Sequence, residues 1–427
     1  MLKKISLFLV VLFLPIFLFA AGGGQQQAKG SNYMRLAWWG NTTIDEETIQ
    51  VVELFQKLNP GVVIETEAAG WSGYWDKLNT QAAAGNLPDL IQHDYSYIMQ
   101  WYSRNQLKDL TPYIDQGIIR TSKISEGNLA GGRINGKLYG ISLGTNAFGQ
   151  IYDTAVLEKA GIGRIDSATW TWADFERIAH TVYEKTGIKT LPLTGGMNIL
   201  TNMVRQTGKS FFSADGKSLG FTDQALVKEF FDIQLRLLDA GILYDPEDAG
   251  LTVSVAETPF SRGLTWNMYY WSNQVVDAAR AANRPIETCL LPKIAGTQRF
   301  GTYLKPSMFF TIPAGAQNPD LAARVLDYFV NDLEANSYLN ADRGVPVPDD
   351  VRAFLASKVD PLMKQSFDFV DLVGANSSPI DPPDPPASGE VQAFVATLMS
   401  QVLTKSISST EGTSRFFTRI NQILAGN

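Results

Sequence analysis

A strand, a helix and a second strand follow one another at the start of the folded part with hardly a residue between them. That order restricts the fold more than any other feature of the chain. Residues 34–39 (Met34 to Trp39) form a short apolar run closed by Gly40 and Asn41. Thr43, with Glu46 three residues on, has the form of a capping box. Thr48, Val51, Val52, Phe55 and Leu58 then recur at the period of an amphipathic helix. Asn59-Pro60-Gly61 stops the helix, and residues 62–66 read as the next strand. Two strands joined in this way lie parallel in a covered sheet, which places the chain in the α/β class.

The alternation continues. A helix is expected over 73–84, a strand over 89–92 and a helix over 96–104. Asn135-Gly136 marks a hairpin within 134–142, and 143–153 reads as extended. Thr171 and Asp174 open a helix over 172–183, and a further helix covers 226–238. Asn318-Pro319-Asp320 supplies an N-cap, a first-turn proline and a charge suited to the helix dipole. Residues 379–386 are proline-rich and read as an exposed excursion. Two terminal helices follow, one with the stripe Val391, Phe394, Val395, Leu398 and Val402, the other with Phe416, Ile420 and Leu424.

The first residues read as an address. Lys3 and Lys4 precede the apolar run 5–19, and Ala20, Ala21 and Gly22 offer a cleavage site, so 1–21 has the order of a secretory signal peptide. The run falls short of the ~20 residues needed to span a bilayer. Ala21 stands where a lipoprotein signal would carry its lipidated cysteine, and Cys289 is the only cysteine. A free periplasmic or secreted protein is therefore expected. The Gly/Gln-rich tract 22–30 has too little apolar surface to order itself. About 400 residues remain, too many for one core, so two domains are expected. The net charge of −7 argues against nucleic acid as a partner.

Catalytic and metal signatures are sparse. His93 and His180 are the only histidines, and no HExxH, GxSxG, Walker A or dinucleotide fingerprint occurs. Neither a cofactor nor a metal is expected. A pair of carboxylates, all that a glycosidase needs, stays possible among 43 acidic residues. Aromatic residues stand out instead: nine Trp, fifteen Tyr and twenty-three Phe. Trp38 and Trp39, then Trp71, Tyr74 and Trp75, then Trp266, Tyr269, Tyr270 and Trp271 cluster where strands end. Open parallel sheets bind ligands beyond those ends. A pyranose suits such a place, because its C–H face lies on an aromatic ring while its hydroxyls need fixed polar partners. The competing role for each ring is burial in a core.

Several blocks resemble the family 1 extracellular solute-binding proteins of carbohydrate ABC importers, the maltose-binding-protein-like group. They include Asn59-Pro60-Gly61, Ala84-Gly85-Asn86-Leu87-Pro88-Asp89, Leu138-Tyr139-Gly140-Ile141, Leu157-Glu158-Lys159-Ala160-Gly161-Ile162 and Trp170-Thr171-Trp172. Phe260-Ser261-Arg262-Gly263, Ile312-Pro313-Ala314 and Arg343-Gly344-Val345-Pro346 continue the order, with Leu264-Thr265-Trp266-Asn267 in place of the family's usual small residues. The resemblance runs from about residue 34 to 424. It implies a type II two-lobe α/β fold with crossings near 144–146, 290–293 and 343–346. Lobe one is then expected at 31–145 and 294–342, and lobe two at 146–293 and 343–427. It further implies a monomer that captures a sugar or oligosaccharide by hinge closure and passes it to importer permease subunits. The alternatives are a sugar sensor presenting ligand to a receptor kinase or chemoreceptor, and a secreted glycan-processing enzyme. Candidate ligand contacts are Trp39 and Tyr74 at the first strand ends, Asp94 (or else a helix N-cap), Asn146 at the first crossing, Trp266 and Trp271 in lobe two, and Arg343 at the third crossing.

Overall fold

The computed structural model describes residues 32–40, 42–249 and 255–426. The expected leader 1–21 and tract 22–30 lie outside these residues. Strand β1 (Tyr33–Trp39) pairs in parallel with β2 (Val63–Ala69) and β3 (Leu90–His93). Successive side chains of a strand point to opposite faces, and β1 uses both. Met34, Leu36 and Trp38 face one core, with Val51, Val52 and Phe55 of the helix Thr42–Leu58. Ala37 and Trp39 face a second, aromatic core with Tyr74, Trp75 and Trp101. Thr43 and Glu46 both lie inside the helix, so they do not form its cap; the position before Thr42 lies outside the described residues. The Trp38 indole ties the helix start to the sheet by donating to Asp45 at 2.7 Å.

The hairpin around Asn135-Gly136 joins β4 (Arg133–Ile134) to β5 (Lys137–Leu138). Asn135 and Gly136 both have positive φ, 50° and 81°, as a two-residue turn matched to strand twist requires. Then come β6 (Ile141–Asn146), β7 (Phe148–Asp153), β8 (Asn267–Trp271), β9 (Ile286–Cys289) and β10 (Lys305–Thr311). The first sheet has the order β2-β1-β3-β10-β6, and the second the order β8-β7-β9. β10 runs antiparallel to both β3 and β6, so the first sheet is mixed rather than parallel throughout. The reason is that β10 enters from the second sheet instead of returning over a helix on its own sheet.

A single residue, Ala147, separates β6 of the first sheet from β7 of the second. Beside it, Thr145 and Val345 exchange backbone hydrogen bonds of 2.7 and 3.2 Å. Gly144 fits there because a Cβ would lie 2.4 Å from the Arg343 carbonyl oxygen. The second sheet is covered on one side by the helices Trp172–Thr186, Gly196–Gln206, Gln224–Asp239, Ser388–Leu403 and Ser409–Ala425. Its other side is covered by Val275–Ala282, Asp349–Ala356 and Pro361–Asn376. Phe300 and Leu304 also pack in this last core, although 294–304 was expected with the first lobe.

The proline-rich segment is exposed at Pro379, Pro382, Asp384 and Pro386, as expected, but it is anchored to the rest of the molecule. Arg205, 3% exposed, donates to Ser378 Oγ at 2.7 Å and to the Pro379 carbonyl at 2.9 Å, and pairs with Asp381 at 2.5 Å. The Tyr95 hydroxyl donates to the Asp381 carbonyl, and Ile380 packs on the aromatic core of the first sheet. A buried guanidinium requires acceptors, and this loop supplies them.

His93 is fully buried, its Nδ1 3.1 Å from the Asp94 carbonyl and its ring edge-on to Trp75 and Trp101 at 5.2 Å from each. Burial brings its pKa down to about 4 from 6.5. Below about pH 6.5 the unfolded chain therefore takes up a proton that the native state refuses, and stability falls as pH drops toward 4. The contribution is on the order of 3 kcal/mol at the acid end. Melting curves from pH 7 to 4 should show this loss in the parent and a shallower acid slope in His93→Gln; parallel slopes would remove His93 as its source.

Candidate functional site

A cavity of about 960 Å³ opens between the two halves, near the top of the ~300–1,000 Å³ range usual for small-molecule sites. One wall is the helix Tyr95–Ser103, which follows β3 and contributes Tyr95, Ser96 and Met99. Opposite stand Thr194 and Asn198 at the start of the helix Gly196–Gln206, Trp271 at the end of β8, and Tyr303 and Lys305 where the chain enters β10. The proline loop closes the remaining side with Asp381 and Asp384.

Trp271 is the last residue of β8 and lines the cavity. It remains half-buried, with ring centroids 5.3 Å from Phe148 and 6.5 Å from Tyr303. Lys305 Nζ lies 5.1 Å from the same ring's centroid, a cation–π distance. The Arg205 guanidinium sits 4.9 Å from the Tyr303 centroid. Burial, together with Asp384 and Asp381, pushes the Tyr303 hydroxyl well above its ordinary range, so it stays protonated as a donor. Burial does the same to Tyr95. At the carboxyl ends of β1 and β2, Trp39, Trp71, Trp75 and Tyr97 form an aromatic group. Its centroid separations include 5.1 Å for Trp39–Trp71 and 4.2 Å for Trp75–Tyr97. Trp71 is 47% exposed there.

Of the residues expected to touch ligand, Trp271 lines the cavity. Trp39 lies in the neighbouring aromatic group, half-buried, with its carbonyl accepting from Gln92 Nε2 at 2.9 Å. Asn146 is half-buried at the end of β6, its Oδ1 3.4 Å from the Ser272 hydroxyl. The other four have different work. Tyr74 is 1% exposed and donates to the Gln92 carbonyl at 2.6 Å, so it ties its helix to the sheet. Trp266 is fully buried against Phe175, its Nε1 donating to Thr190 Oγ1 at 2.8 Å. Asp94 is the N-cap of the helix Tyr95–Ser103, accepting from the Ser96 N–H at 2.8 Å.

Arg343 is 3% exposed and donates to Gln92 Oε1 at 3.2 Å and Thr48 Oγ1 at 2.5 Å. It borders only a small gap of about 10 Å³ with Leu143 and Phe329. Burial lowers its pKa to about 10, against the pull of Glu47 and Asp342. Sequence reasoning missed Tyr95, Asn198, Tyr303, Lys305 and the two loop aspartates. The signal that marked the loop was there, two aspartates set among prolines, but it was read as a surface feature. Among the described residues no group of His, Cys, Asp and Glu is arranged to hold a metal ion, and no helix is long and apolar enough to cross a membrane.

The chain is similar to known proteins in both sequence and shape. It is 25% identical over 224 residues to an arabinooligosaccharide-binding protein of Bacillus subtilis, covering 50% of each chain. It is 28% identical over 169 residues to a lactose-binding protein of Rhizobium radiobacter, covering 38% of this chain and 39% of that one. The matches thus span half or less of these curated relatives. A family 1 extracellular solute-binding protein of Alicyclobacillus acidocaldarius superposes with a TM-score of 0.84 at 28% identity, over 92% of this chain and 98% of that one. An oligogalacturonide-binding protein of Yersinia enterocolitica shares the fold, with a TM-score of 0.76 at 19% identity over 92% and 98% of the two chains. The α/β architecture is therefore that of periplasmic solute-binding proteins. With residues 50–365 matching that family in sequence, the chain belongs to the bacterial extracellular solute-binding proteins.

Proposed function

We propose that the protein is the extracytoplasmic capture subunit of an ABC-type importer, closing two lobes on a sugar or oligosaccharide and presenting it to the permease. The observation that carries this is the cavity itself, walled by a helix of the first sheet and by Trp271, Tyr303 and the proline loop of the second half. Relatives named for arabinooligosaccharide and lactose binding support the ligand class. Lobe one is taken as 32–146 with 305–342, and lobe two as 147–304 with 343–426. The chain then crosses at Ala147, ahead of β10 and near Val345. Ligand that touches both walls favours the closed arrangement by its extra affinity for it.

The reading is one of binding without bond making, by a monomer with no nucleic-acid partner that is exported as a periplasmic or secreted protein. Three carboxylates line the cavity: Asp215, Asp381 and Asp384. Asp381 is held by Arg205, and Asp215 accepts from Ser213 at 2.6 Å. Trp271 supplies the flat apolar face for a sugar ring, while Asn198, Tyr303 and the loop supply polar partners.

A ligand that binds only the native state raises the melting temperature. Screening the mature protein against neutral mono- and oligosaccharides should yield a concentration-dependent rise for at least one of them; a flat response across the set would overturn the sugar assignment. Against that ligand, calorimetry on Trp271→Ala should show at least a tenfold loss of affinity, about 1.4 kcal/mol. Tyr74→Phe should bind as the parent does while losing about 1 kcal/mol of stability. Unchanged binding by Trp271→Ala would place the stacking surface elsewhere.

A further inference from the structure

We propose that Asp384 sets the charge class of the ligand, making the cleft a site for uncharged oligosaccharides that turns away uronic-acid sugars. This rests on the sugar reading above and adds to it the substrate class and the residue that selects it.

The argument starts from what the loop can offer. Pro382, Pro383, Pro385 and Pro386 all line the cavity, and proline has no backbone N–H. The loop therefore presents mainly carbonyl oxygens and carboxylates, its backbone N–H groups being confined to Ile380, Asp381 and Asp384. Sugar hydroxyls can donate to such a wall. A carboxylate brought against it meets mainly acceptors, and an unpaired charge in a partly desolvated place costs far more than an unpaired hydroxyl.

Of the nearby cations, Arg205, Arg343 and Lys305 have partners within the protein, and Lys209 lies exposed. Arg205 pairs with Asp381 and is packed over Tyr303. Arg343 is buried against Gln92 and Thr48 outside the cavity. Asp215 is engaged by Ser213 and by the Lys217 N–H at 3.1 Å. Lys209 lines the cavity as an exposed residue on the segment after the helix Gly196–Gln206. Lys305 lies over Trp271, and its charge also stabilises the Asp384 carboxylate. An acidic sugar would have to compete with the Trp271 ring and with Asp384 for the charge of Lys305. Asp384, by contrast, is exposed, and among the described residues no side chain or backbone group donates to it. The protein crowded around Asp384 raises its carboxyl, Lys305 acts against that rise and Asp381 adds to it. A second carboxylate would add to the same crowding.

The test is titration calorimetry of the full mature protein with lactose, arabinotriose and maltotriose as neutral probes and digalacturonate as the acidic one. At least one neutral probe should bind the parent, with digalacturonate at least tenfold weaker than the best of them. Asp384→Asn should tighten digalacturonate about tenfold and change the neutral ligand less than that, and Asp384→Lys should tighten it further. Raising the salt from 0.05 to about 1 M should shrink the gain, because screening acts on charge and not on packing. Because Asp384 faces water, both variants should melt near the parent temperature. Digalacturonate binding as tightly as the neutral probes, or unmoved by Asp384→Asn, would overturn the assignment of Asp384 alone. If neither neutral nor acidic probes bind, the sugar reading beneath it falls as well.

Discussion

Everything in this molecule hangs on a passage one residue long. β6 closes the first sheet at Asn146, β7 opens the second at Phe148, and Ala147 between them is fully buried. Its N–H donates to the Ser272 hydroxyl at 3.1 Å, and its carbonyl accepts from the Ser272 N–H at 2.8 Å. With both backbone groups pinned to one residue, Ala147 is anchored to the second sheet, and the passage between the sheets is confined to the residues just before it rather than spread over a long linker. Val345 adds a second strand of backbone beside Thr145, and only a residue without a Cβ allows the approach at Gly144. The carboxyl ends of β1, β2 and β3 open toward the second half, and a cavity forms where several separate stretches of chain converge.

Most features fixed by neighbours in sequence were legible, the expected Thr43–Glu46 box being an exception because the helix already includes Thr42. The Thr171–Asp174 capping box, the Asn318 cap and the turn at Asn135-Gly136 all appear where the residues indicate, because each is decided within four residues. The order and approximate extent of the strands of the first half were legible for the same reason. The antiparallel entry of β10 was not, since strand direction depends on where the preceding chain has been. Nor was the proline loop's position: Arg205 and Asp381 meet only after the helices between them are packed. The cluster from Trp266 to Trp271 shows how narrow the margin is. Trp271 ends the strand and reaches the cavity, whereas Trp266 precedes it and is captured by Thr190 and Phe175. Aromatic content pointed to the right region and could not rank the rings.

Two buried arginines show why residue type alone misleads. Both have lost almost all contact with water, so both must recruit acceptors. Arg343 finds them within the first half, in Gln92 and Thr48, and beside it Glu47 is raised to about pH 8 by burial and by Asp342. Its effect is to hold the segment before Val345 against the helix Thr42–Leu58. Arg205 finds its acceptors in a loop that comes from far along the chain, and the same requirement delivers that loop to the cavity wall. A guanidinium in a solute-binding cleft need not touch solute to shape what binds.

The loop's composition matters as much as its anchoring. A flexible segment recruited to a cleft would have to be ordered each time ligand arrives, at a cost in conformational entropy for every residue fixed. Prolines restrict the free chain beforehand, so less freedom remains to be lost. Arg205 and Tyr95 hold Asp381 from opposite sides of the cleft, which stiffens the strap further. The same prolines that lower this cost strip the wall of donors. Rigidity and chemical selectivity thus come from one feature, and a loop made flexible with glycine would lose both together, gaining N–H groups as it gained freedom.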